Sequence, residues 1–323
     1  MGLKALAVLT GGGDAPGMNA CVRAVVRSAL ANGVRALGVE RAYEGMTKGE
    51  FCELGARDVG GIIQRGGTIL KTARFPGFAK IEAQKEGLAK LKAAGAEALV
   101  AIGGDGTMRG ALALHKLGFP VIGIPASIDN DVYGTDISIG VDTALNTIIE
   151  AIDKLRDTAS SHQRAFLVET MGRNCGHLAL MSGIISGAEM TLIPEQDVEP
   201  GEVAKAVREA YARGKTHAIV VVSEGAKYPA IALKEKLNAM NLGVDLRVTV
   251  LGHTQRGGAP SAWDRLIAAR FGVNAVERLL AGKSGVMVGL RAREVADVPL
   301  EEAGSRQREP DMEYYRMARM LAQ

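Results

Sequence analysis

The stretch P-V-I-G-I-P-A-S-I-D-N-D-V-Y-G-T-D, residues 120–136, joins a short apolar run to a loop that contains acids. The run at 120–124 is typical of the end of a buried strand, and the Pro, Asn and Gly that follow favour turns over helix. Asp129 and Asp131 lie two positions apart, the spacing at which an extended segment directs both side chains to one face. Because ligands of open α/β sheets bind beyond the carboxyl ends of the strands, the pattern indicates a functional site. The alternative is a surface turn rich in Asp and Asn.

Apolar runs and helical patterns alternate along the rest of the chain. The predicted strands cover residues 3–10, 34–39, 97–102, 120–124, 164–169, 189–193, 217–222, 245–251 and 286–290. The predicted helices cover residues 18–30, 58–64, 81–94, 108–117, 141–157, 171–187, 202–213, 231–240 and 261–280, and residues 41–56 are expected to be irregular. This alternation predicts an α/β fold in two lobes, each a mostly parallel sheet flanked by helices. About ten strands favour two sheets over one.

The composition is that of a globular protein and argues against several other classes. Of the 323 residues, 47% are hydrophobic and 23% are charged, which allows a packed core. Only 4% are aromatic and the net charge is +3, so neither a stacking platform for nucleic acid nor a strongly basic surface is indicated. The three cysteines at 21, 52 and 175 are too widely spaced for a zinc site and indicate a reducing compartment. We predict a cytoplasmic protein, because no apolar run has the length of a signal peptide or a membrane span.

Two glycine-rich loops, G-G-G-D-A-P-G at 11–17 and G-G-D-G-T at 103–107, each follow a predicted strand and precede a predicted helix. Glycine lets the backbone approach a phosphate, and the helix N-terminus favours its negative charge. The first loop is not a P-loop, since no Gly-Lys-Ser/Thr follows it. Asp105 stands inside the second loop, as expected where a divalent cation lies between a carboxylate and a phosphate. The alternatives are ordinary glycine turns and a helix-capping Asp or Thr.

The loops after the other predicted strands place charged groups beside glycine. These groups are Asp129, Asp131, Arg173, Glu224, His253 and Arg256, and Arg164 and Arg247 lie near the starts of their strands. Arginine offers paired planar donors to phosphate, and an aspartate beside a hydroxyl can take its proton during phosphoryl transfer. The residues themselves therefore predict a kinase that acts on a phosphorylated or otherwise anionic small molecule.

Seven motifs, in order along the chain, resemble those of the bacterial ATP-dependent 6-phosphofructokinases. They are G-G-D-A-P-G-M-N at 12–19, R-G-G-T at 65–68, G-G-D-G-T at 103–107, S-I-D-N-D at 127–131, S-S-H-Q-R at 160–164, V-E-T-M-G-R at 168–173 and G-H-T-Q-R-G-G at 252–258. The resemblance implies Mg²⁺-dependent transfer of the ATP γ-phosphoryl group to the 1-hydroxyl of fructose 6-phosphate. It also implies an ATP-binding domain, 1–140 plus about 253–303, and a sugar-phosphate-binding domain, 141–252 plus about 304–323.

Carried over position by position, the resemblance implies Asp129 as the base, Asp131 as its support, and Arg74 and Arg173 as groups that steady the transferring phosphoryl group. The residues implied for ATP are Gly13, Tyr43, Arg74, Phe75, Gly104, Asp105, Gly106 and Thr107, with Asp105 as the Mg²⁺ ligand. Those implied for the sugar phosphate are Ser127, Ile128, Asp129, Met171, Gly172, Arg173, Glu224, His253 and Arg256. Arg164 and Arg247 match residues that reach this ligand from a neighbouring subunit, which implies a homotetramer with shared active sites.

The family also has an effector site for ADP and phosphoenolpyruvate at a subunit interface. The matching residues are Arg23, Arg27, Arg156, Glu189, Arg213 and Lys215. Ala56 and Gly61 stand where bacterial relatives often carry Arg and Asp, although Arg57 is adjacent. The resemblance therefore leaves the strength of effector binding open. The alternative for Arg23 and Arg27, four positions apart on one helix, is a solvated face.

Three alternative functions remain. Pyrophosphate-using relatives carry Asp at the position of Gly106 and Lys at the position of Ala126, whereas the small residues here leave room for adenosine and favour ATP. A kinase of a nicotinamide dinucleotide or a lipid would explain 103–107 but not 127–131. A catalytically silent nucleotide or sugar-phosphate sensor would be expected to lack the base, and Asp129 is present.

Overall fold

The computed structural model describes residues 2–322, which divide into two compact units. Unit 1 contains the residues up to Ser127, then Asp131–Thr143 and Arg256–Arg308. Unit 2 contains Ile128–Asn130, Ala144–Gln255 and the residues from Glu309 onward. The chain thus leaves unit 1 for three residues at 128–130, a brief crossing that no signal in the sequence indicates.

The strands of the described residues form two sheets. The strands are β1 (Ala5–Gly11), β2 (Arg35–Val39), β3 (Phe51–Glu53), β4 (Ala98–Gly103), β5 (Val121–Pro125), β6 (Arg164–Thr170), β7 (Met190–Leu192), β8 (Ala218–Ser223), β9 (Asp245–Val250), β10 (Val286–Arg291) and β11 (Glu294–Pro299). The order is β11-β10-β5-β4-β1-β2-β3 in unit 1 and β7-β8-β6-β9 in unit 2. Only the edge pairs β10–β11 and β2–β3 are antiparallel among the strand pairs of residues 2–322. The predicted α/β class with mostly parallel sheets is confirmed.

Helices follow most of the strands. They are α1 (Met18–Ala31), α2 (Ala42–Lys48), α3 (Ile81–Ala93), α4 (Asp105–Lys116), α5 (Val141–His162), α6 (His177–Ser186), α7 (Pro200–Ala212), α8 (Ala230–Ala239), α9 (Ala262–Leu280), α10 (Leu300–Ser305) and α11 (Met312–Leu321), with 3-10 helices at Pro76–Ala79 and Gly252–Gln255. Across the described part of the chain, no helix is long and apolar enough to cross a membrane.

Each unit has its own apolar core. Every residue of β1, β4, β5 and β8 is buried, as expected for parallel strands covered on both faces. The core of unit 1 includes Leu9, Met46, Leu99, Met108 and Leu114. The core of unit 2 includes Leu167, Val207, Val220, Leu233 and Leu246.

Several local predictions are wrong, and each error has a physical cause. Residues 58–64, predicted as a helix, form turns and coil. The stretch 41–56, predicted as irregular, contains α2 and β3, and β11 has no counterpart among the predicted strands. Both missed strands are antiparallel strands at the two ends of the sheet in unit 1, and neither β3 nor β11 is buried throughout, so neither leaves the continuous apolar run of a central strand. The helix predicted from 171 begins only at His177, because Gly172 and Arg173 adopt positive φ angles of 139° and 51°.

Replacing Gly201 by Ala should stabilise the protein. Gly201 lies in the first turn of α7, and a Cβ added there has no heavy atom within 4 Å. The methyl group therefore restricts the unfolded chain without creating a clash, and we expect the free energy of unfolding to rise by about 0.5 kcal/mol. Urea unfolding followed by circular dichroism measures the change, and a lower midpoint would show that the turn requires glycine.

Candidate active site

The two glycine loops lie side by side in unit 1, at the carboxyl ends of the neighbouring strands β1 and β4. Gly11 pairs with Gly103 in the parallel register. A Cβ added to Gly103 would lie 2.4 Å from the carbonyl oxygen of Gly11 and 2.4 Å from Oγ1 of Thr107. Glycine is therefore required for the close approach of the two backbones, and the approach brings both predicted phosphate loops to one edge of the sheet.

Arg256 lies against the first glycine loop. Its Nη1 donates a hydrogen bond to the carbonyl oxygen of Asp14 at 3.2 Å. A Cβ added to Gly13 would meet the same nitrogen at 2.4 Å, so only glycine leaves room for this guanidinium. Arg256, which the resemblance assigns to the sugar phosphate, thus belongs to unit 1 and directs its positive charge to a predicted phosphate loop.

Asp105, inside the second glycine loop, is the first residue of α4. Its Oδ2 lies 2.8 Å from Nη1 of Arg109, one helical turn later. No group of three or more His, Cys, Asp or Glu side chains that could hold a metal occurs within residues 2–322. A single carboxylate is the donor set expected for Mg²⁺ that also binds phosphate oxygens and water, because Mg²⁺ retains much of its hydration.

The side chain of Tyr43 is hydrogen-bonded to the backbone of the second glycine loop. Its ring stacks on Phe78 with centroids 4.2 Å apart, and its hydroxyl donates to the carbonyl oxygen of Thr107 at 2.7 Å. Burial raises the pKa of Tyr43, so the hydroxyl stays protonated and remains a donor. Phe75, half-buried, contacts Phe78 with centroids 6.5 Å apart, and Arg74 before it is exposed.

Replacing Tyr43 by Phe should loosen this loop without disturbing the ring stack. The change leaves the buried carbonyl of Thr107 without its side-chain donor, and we expect a loss of about 1 kcal/mol in the free energy of unfolding. The Michaelis constant for ATP should rise more than that for the second substrate. Thermal unfolding and steady-state kinetics check the two effects, and unchanged values for both would show that the hydroxyl is dispensable.

The acidic loop, residues 126–140, carries Ser127 and Asp131 in unit 1 and Asp129 in unit 2. Ser127 donates from Oγ to Oδ1 of Asp131 at 3.3 Å. Asp129 is only 2% exposed and Asp131 8% exposed, so the surface turn considered from the sequence is wrong. The predicted extended geometry is also wrong, because Asn130 has a φ angle of +55° and turns the chain between the two acids. Ile128, beside Asp129, is fully buried.

Arg173 is the cationic neighbour of Asp129 within unit 2. Its Nε lies 3.4 Å from Oδ2 of Asp129. Glu224 holds the backbone of this loop, since its Oε1 accepts hydrogen bonds from the N–H groups of Gly172 at 3.2 Å and Arg173 at 2.8 Å. A Cβ on Gly225 would lie 1.9 Å from the carbonyl oxygen of Arg173, so the two loops pack backbone to backbone. The structure therefore places Arg173 beside the buried carboxylate of Asp129, and Glu224 holds the backbone of the loop that carries Arg173.

Two uncharged amides hold the loops and were not among the predicted residues. Gln255, fully buried in unit 2, accepts from the N–H of Met171 at 3.2 Å and donates to the carbonyl oxygen of Gly252 at 3.0 Å. It thereby joins the loop of Met171 to the 3-10 helix that presents His253, which is exposed. Gln255 is part of the motif at 252–258, but its neutral side chain has no acid, base or charge that would identify it as a functional residue.

Asn19 is the second amide, and it connects separate segments of unit 1. Its Nδ2 lies 3.1 Å from the carbonyl oxygens of both Arg65 and Gly66, and its Oδ1 accepts from the N–H of Ile69 at 2.7 Å. Thr72 adds a hydrogen bond from Oγ1 to the carbonyl oxygen of Gly12 at 2.7 Å. Asn19 thus fastens the R-G-G-T segment to the start of α1, and Thr72 fastens the residues before Arg74 to the first glycine loop.

A profile of the family described as "Phosphofructokinase" matches residues 5–279. This chain belongs to the phosphofructokinase family. It is 53% identical over 327 residues to the ATP-dependent 6-phosphofructokinase 1 of Thermus thermophilus, covering 99% of this chain and 100% of that relative. It is 49% identical over 323 residues to the ATP-dependent 6-phosphofructokinase of Lysinibacillus sphaericus, with the same coverage. The predicted family is confirmed.

Solved structures of phosphofructokinases share the fold. The phosphofructokinase of Saccharomyces cerevisiae matches with a TM-score of 0.88 and 37% identity, over 93% of this chain and 45% of the yeast chain. The pyrophosphate-dependent phosphofructokinase of Marinobacter aquaeolei matches with a TM-score of 0.87 and 21% identity, over 97% of this chain and 86% of that chain. The second likeness concerns the fold alone.

The two arginines predicted to act across subunits of a phosphofructokinase share one partner here. Arg164 and Arg247 lie on the paired strands β6 and β9. Nε of Arg164 lies 2.9 Å and Nη2 of Arg247 2.8 Å from Oδ2 of Asp245. Both guanidinium groups are partly exposed, so an anion can compete for them with Asp245.

The residues that match the family's effector site divide between the units. Arg23 and Arg27 lie on α1 in unit 1, the first half-buried and the second exposed. The other four lie in unit 2. There the buried carboxylate of Glu189 lies 3.0 Å from Nζ of Lys215, while Arg156 donates to the carbonyl oxygen of Ser186 and Arg213 to that of Ala322.

Proposed function

We propose that this chain transfers the γ-phosphoryl group of ATP to the 1-hydroxyl of fructose 6-phosphate, giving ADP and fructose 1,6-bisphosphate. The observation that carries the proposal is the buried carboxylate of Asp129 beside the guanidinium of Arg173. A carboxylate can accept the hydroxyl proton, and a neighbouring arginine can neutralise the charge of the phosphoryl group in transit. Membership of the phosphofructokinase family supports this reaction over other kinase chemistry.

Unit 1 is proposed to bind ATP. The paired glycine loops offer backbone N–H groups to phosphate, α4 directs the positive end of its dipole to the same place, and Arg256 adds a charge. Asp105 is proposed to hold Mg²⁺, which would neutralise phosphate charge when bound. Asp131, bonded to Ser127, is proposed to support the acidic loop. Arg74 is proposed to stabilise the transferring phosphoryl group. It follows the segment that Asn19 holds by hydrogen bonds to Arg65, Gly66 and Ile69.

Unit 2 is proposed to bind the sugar phosphate. The proposed ligands there are Ile128, Asp129, Met171, Gly172, Arg173, Glu224 and His253. Ser127 and Arg256, which belong to unit 1, stay predictions for the sugar phosphate. Arg164 and Arg247 are proposed to reach the ligand of a neighbouring subunit in a homotetramer, since both are partly exposed and lie on the neighbouring strands β6 and β9. ADP or phosphoenolpyruvate is proposed to act at the six effector positions. A cytoplasmic location stays a prediction from the sequence.

A saturation curve with fructose 6-phosphate tests donor, acceptor and regulation together. Rates are measured with ATP or with pyrophosphate as donor, each with and without phosphoenolpyruvate. We expect turnover with ATP as donor and none with pyrophosphate, because Gly106 and Ala126 leave the donor site open. A curve that changes when phosphoenolpyruvate is added would show that phosphoenolpyruvate acts as an effector. Turnover with pyrophosphate would reverse the choice of donor, and the absence of turnover with both donors would overturn the proposal.

A further inference from the structure

Asp264 lies in the first turn of α9, and its side chain is fully buried. Its Oδ1 accepts a hydrogen bond from the N–H of Gly140 at 2.8 Å, and its Oδ2 accepts from N and Oγ1 of Thr143 at 2.8 Å and 2.6 Å. The carboxylate of α9 thereby accepts from two amide groups at the start of α5, that of Gly140 just before the helix and that of Thr143 in its first turn. In return Ser261, the N-cap of α9, donates from Oγ to Asp142 and from its N–H to Oγ1 of Thr143.

The start of α5 is continuous with the end of the acidic loop. Ile139, next to Gly140, donates its N–H to the carbonyl oxygen of Pro125 at 3.1 Å and accepts from the N–H of Ser127 at 3.1 Å. Ile139 is thus hydrogen-bonded on both sides of Ala126, with which it forms a parallel bridge. Fixing Gly140 therefore fixes the place where the acidic loop leaves β5.

We propose that Asp264 is a positioning residue for phosphoryl transfer: by capping α5 it holds Ile139, and through Ile139 it holds Ser127 and the chain that carries Asp129. The inference rests on the proposed function, because Asp129 is the base of that reaction. Asp129 follows Ser127 by two residues, so an error in the position of Ser127 passes along the chain to the base.

The ionisation of Asp264 supports this assignment. Burial raises the pKa of Asp264 to about 6, with a smaller contribution from the charge of Asp142, so the carboxylate is ionised at neutral pH against its desolvation. A neutral amide would avoid that cost but offers a single acceptor oxygen, whereas three hydrogen bonds converge here. The need for two acceptor oxygens therefore accounts for a charged residue at this position.

The test replaces Asp264 by Asn and Thr143 by Val. We expect Asp264→Asn to lower kcat about 10- to 100-fold, with both Michaelis constants changed less than about 3-fold, because a small displacement of a reacting group reduces the rate more than binding. Thr143→Val removes only the Oγ1 hydrogen bonds in a side chain of the same shape and should lower kcat about 3- to 10-fold, with Thr143→Ser restoring it. This milder variant keeps the test decisive if Asp264→Asn does not fold.

A double-mutant cycle separates positioning from general destabilisation. If Asp264 acts through Asp129, the double variant with Asp264→Asn and Asp129→Asn should be little slower than Asp129→Asn alone. If Asp264 has an independent structural role, the rate loss of the double variant should equal the product of the two single losses. The matched control is Asp297→Asn, which breaks the ion pair of Asp297 with Arg278 in the last turn of α9. Its kcat should stay within about 2-fold of the parent.

Hydrogen exchange of peptides that cover residues 126–143 gives a readout independent of catalysis. We expect faster exchange in Asp264→Asn than in Asp297→Asn. Three results would each overturn the proposal. The first is a double variant whose rate loss is the product of the two single losses, and the second is a kcat of folded Asp264→Asn within 2-fold of the parent. The third is hydrogen exchange over residues 126–143 that is the same in Asp264→Asn as in the parent. An unaltered parent enzyme that does not phosphorylate fructose 6-phosphate would instead contradict the proposed function, while the exchange measurement would still decide whether Asp264 holds the loop.

Discussion

We expect turnover of fructose 6-phosphate to fall about 1000-fold when Asp129 is replaced by Asn, because the amide cannot accept the proton of the attacking hydroxyl as the proposed base would. The size of the effect follows from the role of a general base, which contributes about 10²- to 10⁴-fold to the rate. The change is isosteric and the side chain is only 2% exposed, so the surrounding packing should persist. Its neighbour Arg173 is 46% exposed and can be solvated once the carboxylate is gone.

Binding should respond differently from turnover. Removing a negative charge 3.4 Å from Arg173 leaves that guanidinium free for an anionic ligand, so the dissociation constant of fructose 6-phosphate should stay the same or fall. Isothermal titration with the sugar phosphate alone measures this, and steady-state kinetics with ATP measures kcat. A rate within 10-fold of the parent would eliminate Asp129 as the base.

Asp136 offers a matched control in the same acidic loop. Its Oδ2 accepts a hydrogen bond from the N–H of Ala292 at 2.8 Å, a contact with the hairpin of β10 and β11. An amide oxygen can accept the same hydrogen bond, so Asp136→Asn should keep kcat within about 2-fold of the parent. A large loss in both variants would show that any change in the loop disturbs the reaction, and the role of Asp129 would then need independent proof.

The sequence predicted those site residues whose chemistry is visible in the residue itself. The two glycine loops, Asp105 and the acids of the acidic loop were predicted because glycine beside a carboxylate, directly after an apolar run, is typical of the ligand-binding edge of an α/β sheet. The sheets were found for a similar reason, since buried parallel strands leave continuous apolar runs such as β1 and β4.

The parts that could not be predicted depend on contacts made far along the chain. Asn19 and Gln255 are neutral amides, and their importance appears only when Arg65 and Met171 are seen beside them. The fit of Gly103 against Gly11 likewise depends on the pairing of β1 with β4. The left-handed backbone of Asn130 was not predicted, because a single residue of positive φ between two acids leaves no periodic pattern in the sequence.

Replacing Gly103 by Ala should cost about 2–3 kcal/mol in the free energy of unfolding, the range expected for an overpacked core. The new methyl group would lie 2.4 Å from the carbonyl oxygen of Gly11, which cannot retreat without breaking the register of β1 and β4. It would also lie 2.4 Å from Oγ1 of Thr107, so the second glycine loop moves as well. We expect the Michaelis constant for ATP to rise at least about 10-fold.

Gly104→Ala distinguishes packing from ligand access in that loop. A Cβ on Gly104 meets only Ser127, at 3.7 Å, which is ordinary contact, and so the free energy of unfolding should change by less than about 0.5 kcal/mol. If Gly104 lines the phosphates as proposed, its variant should still bind ATP more weakly. Urea unfolding and ATP titration of both variants decide between the two effects. Equal stability of Gly103→Ala and Gly104→Ala would contradict the argument, because it would mean that β1 and β4 can separate at their carboxyl ends without cost.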